Sequence, residues 1–473
     1  MDWIWADQYW VARLLLLRGV GAIYLLGFIV VVNQFRPLLG EYGLLPAPDF
    51  LRGATFRQVP SLFVWRYSDR MLVLVGWIGI IGSAAVVAGI VEQGPLWAST
   101  LVWLGLWALY LSVVNIGQTF YGFGWESLLL ETGFYCAFLG TAAVAPPLPI
   151  ILVLRWLLFR LEFGAGLIKL RRDDCWRDLT CLYYHHETQP LPNRLSWYFH
   201  HLPKPLHRAE VAGNHFAQLI VPFALFLPQP FAAGAGLVIV VTQAWLVVSG
   251  NFSWLNALTI VLALSAFDDT ALGWLPMLAP DEPGRPDWFA ILVVAVTALV
   301  VVLSYRPTRN LFSRRQMMNA SFNNVHLVNT YGAFGSITRE RYEVVLEGTD
   351  AQTPEGAEWR EYEFKGKPGN PQRPPRQVAP YHLRLDWLLW FAAISPTYAR
   401  RWFTALVDKL LHNDRPTLRL LASNPFPDRP PTYIRARLYR YRFSTPAERR
   451  ETGAWWVRTA AGEYLRPVTR RAT

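Results

Sequence analysis

Three charged residues, Arg155, Glu162 and Lys169, recur at intervals of seven in a largely apolar stretch, in which Arg160 lies on a different helical face. Residues seven apart lie on one face of an α-helix, two turns from each other. Ionisable side chains inside a membrane helix are costly, so they pair with one another or line a cavity. We expect this face to meet the carboxylates of Glu126 and Glu131, on the preceding apolar segment, in a buried ionic network. Such a network either fixes helix packing or belongs to an active or ligand-binding site.

The segment 169–210 contains most of the other candidate functional residues. Six of the nine histidines lie between positions 185 and 215, and a histidine there could serve as a general acid or base. Their spacing fits no zinc motif, so we predict no metal site and favour anchoring of aromatic and His side chains at the membrane surface. The open alternative is a metal site drawn from His185, Glu187, His200 and His215.

The three cysteines are Cys136, in an apolar stretch, and Cys175 and Cys181, in the segment after it. They form no CxxC or Cys/His pattern of the kind that binds structural zinc. Two free thiols at positions 175 and 181 are the expectation, and a disulfide between them is the alternative.

Composition identifies the elements that must position these residues. Apolar residues make up 53% of the 473 and charged residues 17%, against about 25% charged in soluble domains. Several uncharged stretches are long enough to cross a hydrocarbon core of about 30 Å as helices. This excludes a soluble enzyme, a disordered protein and a secreted disulfide scaffold. About nine spans are predicted: 11–32, 71–91, 96–114, 127–145, 149–168, 211–227, 231–249, 254–267 and 288–305.

After residue 305 the pattern changes to period two, with Arg or Glu alternating with aromatic or branched residues. We predict a polytopic α-helical membrane bundle over 1–305, with folded loops 33–70 and 169–210. A C-terminal extramembrane α+β domain with an antiparallel sheet follows over 306–473. Its strands are predicted at 342–346, 359–364, 433–441 and 455–457, and its helices at 380–392 and 397–412.

The formal net charge of +11 comes from arginine in the part after residue 305. These arginines alternate with Tyr, Glu and Trp and form no long basic run, which argues against a nucleic-acid partner. Anionic lipid head groups explain the same charge. The positive-inside rule would place both long loops and the C-terminal part in the cytoplasm, although the rule is weak for folded segments.

Distinctive motifs lie in the loop at 175–180, 184–193 and 196–200. Further runs are spread along the chain at 123–131, 328–335, 359–365, 384–387 and 424–426. Together these motifs resemble those of the lipase maturation factor family, and the resemblance extends over nearly the whole chain.

The resemblance implies a multi-pass membrane protein that helps dimeric lipases fold and assemble, with a client lipase or another secreted protein as partner. It implies a location in the endoplasmic reticulum membrane in a eukaryote or in the inner membrane in a bacterium. It also implies that the C-terminal domain lies on the lumenal or periplasmic side, which disagrees with the positive-inside count. We favour this chaperone-like, non-enzymatic role without a cofactor. Residues expected to bind the partner or a substrate are Glu126, Glu131, Arg155, Trp176, Arg177, Asp178, His186, Glu187, Gln189, Trp197 and His200.

A shorter run, 163–170, is similar to a segment of the vitamin K-dependent γ-carboxylases, in which an Ala-Gly element precedes a catalytic lysine and a Trp follows. That similarity implies an alternative, a membrane enzyme with a lipid-soluble, quinone-like cofactor and Lys169 as the base. Glu162 and His185 are then further catalytic candidates. The competing interpretation is that Lys169 extends to the membrane surface and ends its helix.

Overall fold

The computed structural model of the chain describes residues 2–277, 279–280 and 282–470. Helices occupy most of the chain before the first strand. They are α1 (Trp10–Leu39), α2 (Ala47–Leu51), α3 (Asp69–Val87), α4 (Ile90–Gln93), α5 (Leu96–Ile116), α6 (Gly124–Cys136), α7 (Leu148–Arg172), α8 (Asp174–Arg177), α9 (Leu182–Thr188), α10 (Arg194–His200), α11 (Lys204–Leu219), α12 (Val221–Ala224), α13 (Phe231–Ser249), α14 (Leu255–Ala263), α15 (Asp287–Leu303), α16 (Tyr305–Phe312), α17 (Arg384–Ile394), α18 (Phe403–Leu411), α19 (Arg415–Leu418) and α20 (Pro446–Thr452).

Five helices in the described part of the chain are long and apolar enough to cross a membrane. Many of their large apolar side chains are exposed, as at Ile81 and Val301, which suits contact with lipid acyl chains. The five are Asp7–Leu39, Asp69–Val87, Leu96–Ile116, Phe231–Ser249 and Asp287–Phe312.

The predicted count of about nine spans is not confirmed. Helix α6 ends at Cys136, and the chain then turns through Gly140, whose φ of +83° suits glycine. Helix α11 ends at Leu219, and a separate short helix begins near Pro222. The apolar helix at Leu255–Ala266 is shorter than a full span. Helix α7 is 25 residues long, but its interior carries several charges.

Helices α1 and α3 pack closely because glycines of α3 face large side chains of α1. A Cβ at Gly79 would lie 2.4 Å from the ring of Phe28, and one at Gly76 would lie 2.6 Å from Val32. Small residues permit this approach in membrane bundles, where dispersion contacts drive helix association. Ser68 begins α3 by accepting a hydrogen bond from the backbone N–H of Met71.

The predicted antiparallel sheet is confirmed. Its four strands lie in the order β2-β1-β5-β6, and the register pairs Val344 with Leu438 and Phe443 with Trp456. A second sheet pairs β3 with β4. The strands are β1 (Arg341–Thr349), β2 (Arg360–Glu361), β3 (Glu363–Phe364), β4 (Leu421–Ser423), β5 (Tyr433–Phe443) and β6 (Trp456–Thr469).

The C-terminal residues are joined to the helices by one continuous apolar core, which runs from Ile4 to Ala436. Polar contacts fix the same arrangement. Gln34 of α1 donates to the backbone oxygen of His382 at 2.6 Å and accepts from the backbone N–H of Arg384. The segment between the sheet and α17 is therefore held directly on the helical bundle.

Candidate functional site

A cavity of about 650 Å³ lies between α7, α9, α11, α13 and α14. Its walls are predominantly apolar, and such cavities with a few convergent polar groups are typical ligand sites. Three side chains singled out in the sequence line it together: Glu162, Lys169 and His185. The structure thus brings the proposed catalytic residues to one place, while their catalytic role stays a prediction.

The polar side of the cavity is a chain of amide groups between the two charged residues. The Lys169 ammonium donates to the side-chain oxygens of Asn214 and Gln218, each at 2.8 Å. The amide nitrogen of Gln218 donates to Glu162 at 3.2 Å, and that of Gln243 donates to Glu162 at 2.7 Å. Gln218 therefore bridges the ammonium and the carboxylate.

Two aromatic contacts shape the cavity wall. The Lys169 ammonium lies 4.8 Å from the ring centroid of Trp176, an attractive cation–π distance. The His185 ring lies edge-on to Phe334, with centroids 5.0 Å apart. Burial lowers the pKa of His185 to about 3, so this histidine is neutral at physiological pH and is a weak base there.

The mouth of the cavity is apolar and exposed. Leu206, Phe216, Val241 and Trp245 line it, and each has between 45% and 59% of its surface exposed. In a membrane-spanning protein, exposed apolar side chains of this kind contact acyl chains. The opening therefore suits an amphipathic ligand that enters from the bilayer.

The carboxylate of Glu131 lies away from this cavity and forms a buried ion pair with Arg160. It also accepts hydrogen bonds from the hydroxyls of Tyr135 and Tyr331, each at 2.8 Å, and from the backbone of Asn329 at 2.9 Å. Glu131 has 0% and Arg160 1% of its surface exposed, so this arrangement is sealed from solvent.

A second sealed carboxylate, Glu126, forms an ion pair with Arg384 at 2.7 Å and accepts a hydrogen bond from the hydroxyl of Tyr110 at 2.5 Å. Arg384 lies 3.4 Å from the centroid of the Tyr121 ring. His382 is 3.8 Å from the same carboxylate, and burial lowers its pKa to about 4. This ion pair joins α6 to α17.

The predicted network between the Arg155 face of α7 and the carboxylates of α6 is therefore wrong. Arg155 donates to the backbone oxygens of Ser265 and Leu225 and to the hydroxyl of Tyr9. Arg160 and Glu162 are two positions apart, about 200° around the helix. Helix α6 packs on the Arg160 side of α7, whereas the cavity lies on the opposite side.

Most of the residues predicted to bind a partner in segment 169–210 are buried. Trp176 donates to the backbone oxygen of Phe334 at 2.8 Å, and Trp197 donates to that of Ser444 at 2.8 Å. Gln189 donates to the oxygen of Ser249 at 2.9 Å. The side chains of His186, Glu126, Glu131 and Arg155 are buried as well. A buried side chain cannot touch a folded partner, so direct contact of these residues with one is corrected, and a role in binding a substrate stays a prediction.

Glu187 and His200 are partly buried, with 3.7 Å between their side-chain polar atoms, and Glu187 also accepts from the backbone N–H of Phe443 at 2.6 Å. Arg177 and Asp178 are exposed and stay candidates for contact with a partner. His215 instead bonds to the backbone oxygen of Trp176. The four side chains weighed as metal ligands therefore do not converge.

Cys175 and Cys181 form a disulfide, so the expectation of two free thiols is wrong and the alternative is present. Cys136 is a buried free thiol. Next to the disulfide, Asp173 ends α7 and accepts from the backbone of Cys175 and Ile337 and from Arg339. These contacts lower the pKa of Asp173 to about 2, with the Arg339 hydrogen bond as the largest cause.

Sequence reasoning did not identify the amides that complete the cavity. Gln218, Gln243 and Asn256 are all buried, and each is a polar residue in an apolar run. An isolated amide inside a predicted membrane helix is the signal that could have identified them.

Long apolar helices, a cavity with exposed apolar side chains at its mouth and an antiparallel sheet packed on the helices together define a class of multi-pass membrane protein. A family model described as the lipase maturation factor transmembrane domain matches residues 11–274, and one for the lipase maturation factor C-terminal domain matches 327–466. The chain belongs to the lipase maturation factor family. No solved structure matches it.

The similarity to curated relatives extends over almost the whole chain. The chain is 42% identical to Lipase maturation factor 1 of Homo sapiens, over 98% of this chain and 88% of the relative. It is 42% identical to Lipase maturation factor 1 of Mus musculus, over 97% of this chain and 87% of the relative. It is 30% identical to Lipase maturation factor 2 of Homo sapiens, over 97% of this chain and 82% of the relative.

Proposed function

We propose that this protein assists the folding or assembly of a client lipase, or of a similar secreted protein, without catalysing a reaction. The observation that carries the proposal is the 42% identity to Lipase maturation factor 1 across 98% of the chain. In this proposal residues 1–305 anchor the protein in the membrane, and residues 306–473 present a surface to the client.

The edge of the sheet supports the second part of the proposal. Strand β6 lies at one end of the sheet, and in the described residues its outer edge pairs with no other strand. Its central residues, 459–463, are exposed. An exposed edge can pair with an extended segment of another chain, which is the form an incompletely folded client offers.

The disulfide in segment 169–210 bears on the compartment. Disulfides persist in the endoplasmic reticulum and the periplasm and are rare in the cytosol. We therefore assign this segment to the lumenal or periplasmic side. Both cysteines, Cys175 and Cys181, are buried, so the test places a new cysteine at the exposed neighbouring position, as Asp178→Cys. An impermeant maleimide should label Asp178→Cys from that side only, and labelling from the cytosol alone would contradict the assignment.

Deletion of the gene in its own organism tests the maturation role. Active secreted lipase should fall several-fold while the lipase transcript is unchanged, and the wild-type gene should restore it. The protein should also co-purify with newly made lipase. An unchanged yield of active lipase would refute the proposal.

The cavity favours a second candidate function, a membrane enzyme in which Lys169 acts as a base on a lipid-soluble, quinone-like cofactor. The supporting observation is that Lys169, Glu162 and His185 all line a lipid-accessible space. Solvent extraction of protein purified from its native membrane, followed by mass spectrometry, tests it. A quinone at about one per chain, lost in Lys169→Met, supports the enzyme, whereas only bulk phospholipid in both samples excludes it.

A further inference from the structure

Three side chains that the cavity argument does not use converge beside it. His186 lies on α9, and His207 and Glu210 lie one turn apart on the same face of α11. One ligand atom from each of the three lies within 4.8 Å of the other two. Glu210 also lines the cavity.

The separations in this cluster are too long for hydrogen bonds. Nε2 of His186 and Nδ1 of His207 each lie 3.8 Å from Oε2 of Glu210, whereas N–H···O hydrogen bonds span about 2.7–3.2 Å. Two ligands of a tetrahedral zinc ion, each about 2.0–2.1 Å from the metal, are about 3.3 Å apart. The two nitrogen-to-carboxylate separations therefore need to shorten by about half an ångström around an ion, and the His186–His207 separation, which is within 4.8 Å, by at most about 1.5 Å.

The same atoms are buried without a partner. His186 and His207 are each 98% buried, since 2% of their surface is exposed. In the described structure neither ring nitrogen of His186 has a hydrogen-bond partner, and the same is true of Nδ1 of His207 and Oε2 of Glu210. Buried polar atoms without partners are uncommon and call for an explanation, such as a bound ion.

Neighbouring groups hold two of the three side chains in place, as the hydrogen-bond partners of metal ligands do in known metal sites. Trp245 donates to Oε1 of Glu210 at 2.5 Å, which leaves Oε2 free. Nε2 of His207 faces the backbone oxygen of His200 at 3.4 Å. The His186 ring stacks on Phe199 with centroids 5.6 Å apart, so the surroundings are aromatic.

We propose that His186, His207 and Glu210 bind a divalent transition metal ion, with zinc as the first choice. Two imidazoles and one carboxylate form a ligand set that zinc accepts, and three protein ligands leave a position for water or for a group in the cavity. The proposal replaces the sequence-based expectation of no metal site. That expectation rested on the spacing of residues within one segment. Such spacing does not show that α9 and α11 pack against each other.

Metal titration of the full-length protein in detergent tests the proposal. The protein is purified through an affinity tag that contains no histidine. Bound metal is removed with a chelator, and the chelator is then removed. Wild type should bind one zinc ion per chain and show visible absorption when cobalt replaces zinc. Glu210→Gln and His186→Asn should weaken zinc binding by at least about tenfold. The matched control is His412→Asn, because His412 is exposed, and it should bind as wild type does.

Thermal unfolding separates a lost ligand from a lost fold. Zinc should raise the unfolding temperature of wild type and of His412→Asn, because an ion that binds only the folded state stabilises it. Zinc should leave the unfolding temperature of Glu210→Gln unchanged. Without metal, the unfolding temperatures of all these proteins should lie within a few degrees of one another. Wild type with no bound zinc and no cobalt spectrum overturns the proposal, as does equal affinity in Glu210→Gln. If a variant fails to fold, the wild-type cobalt spectrum decides alone.

Discussion

On one side of helix α7, Arg160 forms a direct ion pair with Glu131, whereas on the other side the amide of Gln218 separates Lys169 from Glu162. The first side is filled by tyrosine and asparagine side chains. The second side faces a cavity of about 650 Å³. A single helix thus carries buried charges in two different settings.

The difference shows which charges serve packing. A buried pair whose partners are all protein groups fixes how elements meet, and removal of one partner is costly. The Glu131 pair holds α6, α7 and the segment at Asn329 together in this way. A charge that faces a cavity adds little to packing, and its presence points to a ligand.

The largest expected effect comes from breaking the sealed pair. Glu131→Gln leaves Arg160 buried without a carboxylate and should lower the free energy of unfolding by about 3–5 kcal/mol. The matched change Glu162→Gln should cost less, about 1–2 kcal/mol, because Glu162 accepts hydrogen bonds from amides and has no cation in direct contact. Thermal unfolding in detergent measures both. Equal losses would contradict the comparison.

A smaller loss of stability should follow from removing the disulfide, which lies near the cavity side of α7. The double substitution of Cys175 and Cys181 by Ser opens a short loop and should cost about 2 kcal/mol. Reductant should lower the unfolding temperature of wild type to that of the double variant. If reductant has no effect on wild type, the disulfide does not stabilise this side.

Replacing the cavity ammonium should affect binding more than stability. In Lys169→Met, relief from burying a charge offsets the loss of two hydrogen bonds, so the free energy of unfolding should change by no more than about 1 kcal/mol. Recovery of a co-purified amphipathic ligand should fall at the same time. A loss of stability as large as that of Glu131→Gln would assign Lys169 to packing.

The smallest effect concerns Asp173 at the end of α7. Its pKa is lowered to about 2, first by the Arg339 hydrogen bond, so its contribution is present above about pH 4 and is lost as the pH falls toward 2. Because Arg339 is partly exposed, Asp173→Asn should cost less than about 1 kcal/mol. Unfolding temperatures of variant and wild type should converge at low pH, and a constant difference would contradict this assignment.

Local patterns predicted much of the fold. Long apolar runs identified α1, α3, α5, α13 and α15, and period-two runs identified β1 and β5. Breaks inside apolar runs were missed at Cys136 and Leu219, because hydropathy continues past the point where the backbone turns.

The site was predictable only where it lies on one element. Seven-residue spacing placed Glu162 and Lys169 on one face of α7, and both line the cavity. The same spacing mispaired Arg155, because the relative rotation of α6 and α7 is a tertiary property. The approach of His186 to Glu210 depends on how α9 packs on α11, which no local pattern encodes.

The central claim is that the buried charges on the cavity side of α7 serve a ligand, whereas those on the sealed side serve packing, and filling the cavity tests it most directly. A Cβ at Gly213, which lines the cavity, or at Gly234 in α13, which does not, would meet no atom within 4 Å. Gly213→Phe and its control Gly234→Phe are purified from native membranes, and the amphipathic ligand recovered per chain is measured by mass spectrometry. We predict that Gly234→Phe retains the wild-type amount of ligand and that Gly213→Phe loses most of it. Equal recovery from both would contradict the account.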